Sequence, residues 1–292
     1  MKIALFGKSY AEEQTPFLQM LIDKLAAQKA DIRFYKPYLD KITRTLKLPS
    51  NIGYFSSHEE LASDTDMLFS VGGDGTLLDT IPFVRGSGIP ILGINLGRMG
   101  FLSSVSKDEI SDAVENVFKS NYVLEKRALL TLTQPAGIFG DLNFALNDLT
   151  IYRNNTTSLI VVHVFVDDLF LNSYWGDGLI VSTPTGSTAY SLAAGGPIIS
   201  PGSQNFVIAP IASHNLTVRP IVIQDSSEIK IRIEGREEKY LMTMDSRHSA
   251  ISKQDELIIK RCGFDVNLVQ MNNKDFYSTV RDKLLWGRDY RN

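Results

Sequence analysis

Cysteine is almost missing from this chain: Cys262 is the only one in 292 residues. An intrachain disulfide and a cysteine metal cluster are both excluded, and a reducing compartment is permitted. Histidine is scarce as well. His58, His163, His214 and His248 lack metal-ligand spacing, so no structural zinc site is expected. No apolar run approaches the ~20 residues of a membrane span. The opening Met1–Phe6 stretch turns polar at Gly7-Lys8, too early for the core of a secretory signal. Charge of one sign is not in excess either, with a formal net charge of −3 at pH 7. The basic footprint of a general nucleic-acid binder is therefore absent. What remains is an ordinary globular composition, 43% hydrophobic and 22% charged. The length suits one large domain or two modest ones, and the cytoplasm is the expected compartment.

Against this plain background one loop stands out, Gly72-Gly73-Asp74-Gly75-Thr76. The run Met67–Val71 before it reads as a short buried strand, and a helical pattern starts at Thr76 and runs toward Arg85. Ile89–Ile94 reads as the next strand, completing a βαβ unit of Rossmann-like character. In such units the loop after the strand lies at the carboxyl edge of the sheet, and the following helix points N–H groups at a ligand. Glycines let the backbone approach a phosphate, yet Asp74 is a carboxylate among them. It suits metal binding, proton acceptance or aiming a hydroxyl, all of which belong to phosphoryl transfer. An exposed aspartate in a plain glycine turn is the alternative. Neither a Gly-x-Gly-x-x-Gly fingerprint nor a Walker lysine is present. Gly7-Lys8-Ser9, after the first strand, reads as an ordinary strand-to-helix turn.

Elsewhere the first hundred residues alternate strand and helix signals. Ile3–Phe6 reads as a strand. Thr15-Pro16 reads as a cap and a first-turn proline, ahead of Phe17, Leu18, Leu21, Ile22 and Leu25 at helical spacing. Ser106-Lys107-Asp108-Glu109 is a capping box before an apolar stripe of Ile110, Ala113, Val114, Val117 and Phe118. The texture then turns to β: Ala128–Thr133, Phe144–Arg153, Leu159–Val166, Leu169–Ser173 and Glu228–Ile233 read as strands. Asp167-Asp168 fits a hairpin turn, and Arg236–Lys239 a solvated hairpin tip. Two packed sheets are expected in residues 101–269. Residues 1–100 should form the α/β domain, completed by residues 270–292. There Phe276, Val280 and Leu284 share one face of a helix ending near Tyr290 and returning to the first domain.

A second dense motif runs from Gly176 to Ser191, Gly-Asp-Gly-Leu-Ile-Val-Ser-Thr-Pro-Thr-Gly-Ser-Thr-Ala-Tyr-Ser. Its small hydroxyl residues suit the edges of an adenine and the hydroxyls of a ribose. A plain Ser/Thr loop between strands would look similar. Taken in order, Gly72–Thr76, Leu146-Asn147-Asp148, Asp177-Gly178 and Thr183–Tyr190 closely resemble the NAD kinase family. Gly97-Arg98-Met99-Gly100-Phe101 and Ser213–Pro220 resemble its segments too. The resemblance spans Ile3 to at least Asp245.

That resemblance implies ATP-dependent phosphorylation of the 2′-hydroxyl on the adenosine ribose of NAD, with a divalent metal, magnesium being the natural choice. Asp74 would accept the proton. Gly75, Asn147, Asp148, Asp177, Thr185, Thr188, Ala189, Tyr190 and Ser191 would bind NAD, and Phe101 would pack on the adenine. The implied fold is an α/β domain followed by an all-β, sandwich-like domain, in a homo-oligomer, dimer or tetramer. Two departures from the family pattern stand out: Asn147-Asp148 replaces Asn-Glu, and Asp245-Ser246-Arg247 replaces Asp-Gly-Gln. Trp175 stands where relatives often carry a basic residue. Two other readings stay open on sequence grounds: a lipid kinase of the diacylglycerol or sphingosine type, and a non-catalytic NAD(P) sensor. Neither a nucleic-acid nor a membrane partner is expected.

Overall fold

The structure, a computed structural model, describes residues 1–97, 100–154, 158–271 and 275–286. Arg98 and Met99 of the segment after the second strand of the βαβ unit, and the stretch near Tyr290, lie outside the described residues. The chain divides into two compact units, residues 1–126 with 266–292, and residues 127–265.

In the first unit five parallel strands, β1 (Lys2–Phe6), β2 (Asp31–Tyr35), β3 (Ile52–Phe55), β4 (Met67–Val71) and β5 (Ile91–Asn95), lie in the order β5-β4-β1-β2-β3. Every residue of β4 and β5 is buried, as in a parallel sheet covered on both faces. The chain begins in the middle at β1, winds outward through β2 and β3, and then crosses to the other side of β1 as β4. The direction of winding therefore reverses between β1 and β4.

Several helical expectations need adjusting. Thr15 is not a cap but the first residue of the helix Thr15–Ala27. A 3₁₀ turn, Glu12–Gln14, runs straight into that helix, and the Thr15 hydroxyl donates back to the Glu12 carbonyl at 2.6 Å. The helix expected to reach Arg85 breaks into Asp74–Leu78, Ile81–Val84 and a 3₁₀ turn at Arg85–Ser87. Pro82 has no N–H to give the Leu78 carbonyl, so the ladder cannot continue. The capping box does form: the Glu109 carboxylate accepts from the Ser106 N–H at 2.8 Å and hydroxyl at 2.7 Å. The helix behind it, Ile110–Phe118, buries Ile110, Ala113, Val114 and Val117 in the same core as Leu18, Leu21 and Leu25. That shared core is why the first unit ends at Lys126, whereas the sequence reading put the boundary at Phe101. The helix Phe276–Leu284 belongs to this unit too, with Val280 buried and the Asp275 carboxylate accepting from the Ser278 N–H at 2.9 Å.

The second unit is antiparallel. One sheet contains Leu169–Gly176, Ile160–Val166, Ile229–Glu234 and part of Leu257–Met271, in that order. The other runs Ile221–Gln224, Asn205–Ile211, Gly178–Ser182, Asp148–Tyr152, Lys239–Met244, Arg247–Ser252. Val162, Val164 and Ile231 of the first share a buried core with Ile151, Val181 and Met242 of the second. Asp167 and Asp168, at φ 50° and 63°, make the expected tight hairpin. Ile229, Ile231 and Ile233 are buried while Lys230, Arg232 and Glu234 face outward. Two connections differ from expectation. The stretch Phe144–Arg153 is not one strand: Phe144–Ala145 pairs in one sheet and Asp148–Tyr152 in the other, with Leu146-Asn147 as the crossing. Arg236–Lys239 is likewise no hairpin tip, because the strands on either side belong to different sheets.

Candidate active site

In the first unit β4 delivers the glycine loop to the carboxyl edge of the sheet. Gly72 has φ +152°, and a Cβ there would overlap the Thr76 side chain, so only glycine fits. The Gly73 carbonyl accepts from Thr76 N at 2.9 Å and Leu77 N at 3.2 Å, closing a single helical turn. The helix is five residues long, shorter than the one the sequence suggested. Asp74 is its first residue, and its carboxylate is gripped from one side. Oδ2 accepts from Phe101 N at 2.6 Å, and Oδ1 from Leu102 N at 3.2 Å, Ser103 N at 3.3 Å and the Ser103 hydroxyl at 3.5 Å. A Cβ on Gly100 would fall inside that carboxyl group, so the close approach depends on Gly100 being bare. Among the described residues, and apart from the loop's own backbone, no atom lies within 4 Å of where a Cβ on Gly73 or Gly75 would sit. Asp74, Gly75 and Phe101 are thus brought together, Phe101 through its main chain.

In the second unit the crossing Leu146-Asn147 is tied down from three directions. Asp245 accepts from Leu146 N at 2.9 Å on Oδ2 and from Asn147 N at 2.7 Å on Oδ1. Thr183 donates its hydroxyl to the Leu146 carbonyl at 2.5 Å and its N–H to the Asn147 carbonyl at 2.9 Å. Gly186 leaves room for that Asn147 carbonyl, which a Cβ would strike. Arg247 donates to the Leu142 and Phe144 carbonyls, lies over the Phe139 and Phe144 rings, and stands 3.9 Å from Asp245. The Asn147 side-chain oxygen is buried without a hydrogen-bond partner among the described residues.

Asp148 follows, 8% exposed, with the Thr150 hydroxyl donating to it at 3.1 Å. Burial first, and the charge of Asp245 second, push its carboxyl up to about 7. Burial raises Asp245 as well, against the two backbone N–H donors and the Arg247 guanidinium. Those donors favour the charged form at Asp245 but do not outweigh its burial, so both carboxyls of the pair are driven toward keeping a proton, Asp148 near neutrality.

The Thr/Ser-rich loop spends most of its hydroxyls on its own fold. Ser187 donates to the Pro184 carbonyl at 2.7 Å and Thr188 to the Thr185 carbonyl at 3.2 Å, while buried Thr185 receives Arg127 Nη1 at 3.4 Å. Ser191 is fully buried, its hydroxyl without a partner among the described residues. Ala189 is half-buried, and Tyr190 is 38% exposed with its ring 5.9 Å from that of Tyr152. Asp177 pairs with Arg153 Nε at 3.0 Å. Asn147, Asp148 and the Thr185–Ser191 turn therefore form one cluster, and Asp177 stands with Arg153. Sequence reasoning gave no role to Asp245, Arg127 or Tyr152. Asp245 carried a signal in its Asp-Ser-Arg motif, whereas Arg127 and Tyr152 carried none. Among the described residues no three His, Cys, Asp or Glu side chains gather as a metal site.

Residues 36–122 match the family model described as the ATP-NAD kinase N-terminal domain, and residues 146–271 that of the ATP-NAD kinase C-terminal domain. An NAD kinase of Flavobacterium psychrophilum is 44% identical over 294 residues, covering 100% of both chains. One from Bacteroides fragilis is 38% identical over 291 residues, again covering 100% of both. Among solved structures, a yeast NADH kinase complexed with NADH superposes with a TM-score of 0.88 at 25% identity, covering 100% of this chain and 89% of that one. An Archaeoglobus fulgidus NAD kinase in complex with ATP, at 23% identity and a TM-score of 0.76, covers 98% of this chain and 99% of its own and shares the fold.

Proposed function

This chain belongs to the NAD kinase family, and from that premise we propose how its residues carry out the reaction. That reaction transfers the γ-phosphoryl group of ATP to the 2′-hydroxyl on the adenosine ribose of NAD, giving NADP and ADP. The readings as a lipid kinase or a non-catalytic sensor are set aside by this membership.

Phosphoryl transfer runs through a loose transition state, so the protein mainly aims the acceptor oxygen and offsets charge on the donor. Asp74 is the aiming group. Its Oδ1 is occupied by three donors, but among the described residues Oδ2 receives only the Phe101 N–H, which leaves an acceptor position for a ribose hydroxyl. As the ribose oxygen bonds to phosphorus and the bond from phosphorus to the leaving oxygen of ADP breaks, the hydroxyl proton passes to Asp74. A carboxylate is too weak a base to hold an alcohol's proton earlier, so the transfer is late. The one observation that carries this role is the grip of the 101–103 main chain on Asp74, which fixes the carboxylate before any ligand arrives.

The remaining residues bind NAD. Asp148, protonated near neutrality, can both donate to and accept from a nucleoside hydroxyl, and the Asn147 side-chain oxygen is a buried acceptor awaiting a donor. Thr185, Thr188, Ala189 and Ser191 shape the turn beside them, Tyr190 offers an exposed ring face, and Gly75 and Phe101 border Asp74. Asp177, paired with Arg153, adds a carboxylate for the coenzyme's polar groups. A divalent metal would come as a companion of the triphosphate, since magnesium commonly rides on phosphates. It would offset charge on the phosphoryl group. A homo-oligomer, dimer or tetramer, is supported by the uncharged edge strand Leu169–Gly176, which exposes Leu169, Phe170 and Trp175. A cytoplasmic setting is supported by the lone thiol of Cys262.

The test is Asp74→Asn, assayed for NADP formation from NAD, ATP and Mg²⁺ alongside NAD binding. Affinity should stay within a few-fold while kcat falls roughly a hundredfold or more. Turnover close to that of the parent would remove Asp74 from the chemistry.

A further inference from the structure

The turn Gly7-Lys8-Ser9 looked ordinary in sequence, yet the fold puts it at the point where the sheet reverses its winding. Strands β1 and β4 are direct parallel neighbours, with Phe6 opposite Ser70. The loops leaving their carboxyl ends, Gly7–Tyr10 and Gly72-Gly73, therefore open side by side. In open α/β sheets this crevice is where ligands enter. Building on the kinase reading, we propose that Lys8 is a cation that meets the triphosphate of ATP.

Three observations bring Lys8 to that place. Its main chain is pinned: Gly7 lies so close over the Tyr38 ring that a Cβ would overlap it, and Lys41 donates to the Lys8 carbonyl at 2.5 Å. Its side chain reaches across to the glycine loop's own helix, where Nζ stands 2.5 Å from Asp79 Oδ2 at the helix end. The ammonium side of this pair is 59% exposed and the carboxylate side 16%, so the cation faces outward while its partner is tucked away. Among the described residues Gly73 and Gly75 have no contact on the outer side of the same loop, which leaves space for a phosphate chain.

A surface ion pair of this kind adds little to stability, so stability alone does not account for a lysine aimed here. Lysine serves phosphates as a compact point charge on a flexible stem, and a nucleoside triphosphate carries several negative charges against the single one of Asp79. Lys8 can swing from Asp79 to the incoming phosphates without moving its pinned backbone. Asp79 then acts as the resting partner that keeps the ammonium near the loop. This is not a Walker arrangement, since the lysine comes from the first strand's loop and the glycines from the fourth's.

The experiment compares the parent with Lys8→Met, which keeps the stem and removes the charge, and Lys8→Arg, which keeps the charge. Initial rates give KM for ATP and for NAD separately, and inorganic tripolyphosphate serves as a competitor of ATP. Lys8→Met should raise the ATP KM and the tripolyphosphate inhibition constant together by roughly ten- to a hundredfold, the weight of a charge-assisted contact. KM for NAD should stay within twofold, and Lys8→Arg should recover most of the loss. An ATP KM within twofold of the parent in Lys8→Met overturns the assignment, as does an equal rise in both KM values. Thermal melting of each variant guards against a folding defect, and a folded Lys8→Met with normal ATP kinetics counts against the proposal. Should the parent itself fail to make NADP, the kinase reading is at fault, whereas a competent parent with an indifferent Lys8→Met isolates the failure to Lys8.

Discussion

Asp148→Asn should make the protein more stable at pH 8 and leave it nearly unchanged at pH 4. The folded carboxyl lies at about 7 against an ordinary 3.8, a difference of about three units. At roughly 1.4 kcal/mol per unit, the penalty for ionising it in place comes to about 4 kcal/mol. With only 8% of the residue exposed, solvent screening takes little from that figure. The sign follows from proton counting. Between pH 4 and pH 7 the folded chain keeps a proton that the unfolded chain has lost, so stability falls as pH rises through this window. The group's contribution is fully present below about 4, gone above about 7, and flat beyond. Asparagine occupies nearly the same volume with no proton to lose, so the variant lacks this slope. Urea unfolding of both proteins without nucleotide, at several pH values from 4.5 to 8, measures the difference directly. Titrating groups other than Asp245, which is coupled to Asp148, are common to both and largely cancel. The variant should gain steadily on the parent, approaching about 4 kcal/mol by pH 8. A difference constant within about 0.5 kcal/mol across the range would refute the assignment of the proton to Asp148.

Asp245→Asn should cost about 3 kcal/mol in the same unfolding assay. Both oxygens of Asp245 accept main-chain N–H groups, and an amide must turn its NH₂ toward one of them; an unshifted midpoint would show the crossing is held without it. Gly100→Ala puts a methyl where the Asp74 carboxyl lies and should lower kcat about a hundredfold. Gly75→Ala sits in open space on a helix, so it should keep or slightly raise the melting temperature, and any loss of turnover then reports ligand in that space. Tyr190→Ala should raise KM for NAD about tenfold with a stability change under about 1 kcal/mol, because its ring is partly exposed; the reverse pattern would assign the ring to packing on Tyr152.

Where local pattern decides structure, the sequence was a good guide. The five residues Met67–Val71, four of them apolar, form one buried strand, and the alternation from Ile229 to Glu234 follows the pleat. Ser106 and Glu109 cap the turn that leads into their helix. Pattern fails where a distant group decides. The stretch Phe144–Arg153 keeps a strand-like texture throughout, and its change of sheet at Leu146-Asn147 rests on Asp245, about a hundred positions later in the chain. The boundary near Lys126 was hidden because the helix Ile110–Phe118 looks the same whichever core receives it. In the site, Asp74 was legible as a carboxylate out of place among glycines. Its anchors were not, because Phe101, Leu102 and Ser103 hold it chiefly by main-chain N–H groups, which every residue but proline possesses.

The glycines of the two motifs and of the Gly97–Phe101 segment illustrate why a motif read as a ligand cradle is only partly one. Gly73 and Gly75 border open space among the described residues, so their lack of a side chain serves whatever enters from outside. Gly100 and Gly186 border the protein's own oxygens, the Asp74 carboxylate in one case and the Asn147 carbonyl in the other. These two glycines do not touch a ligand to matter; they let a polar group settle where a Cβ would have been. The same division runs through the hydroxyl residues, since Thr183, Ser187 and Thr188 are spent on main-chain carbonyls while the Ser191 hydroxyl has no partner among the described residues. Each motif therefore holds two populations: residues that build a rigid turn, and residues that the turn then presents. Rigidity comes first in the causal order, because a carboxylate can aim a hydroxyl only after its own position has been fixed by donors that the substrate does not supply.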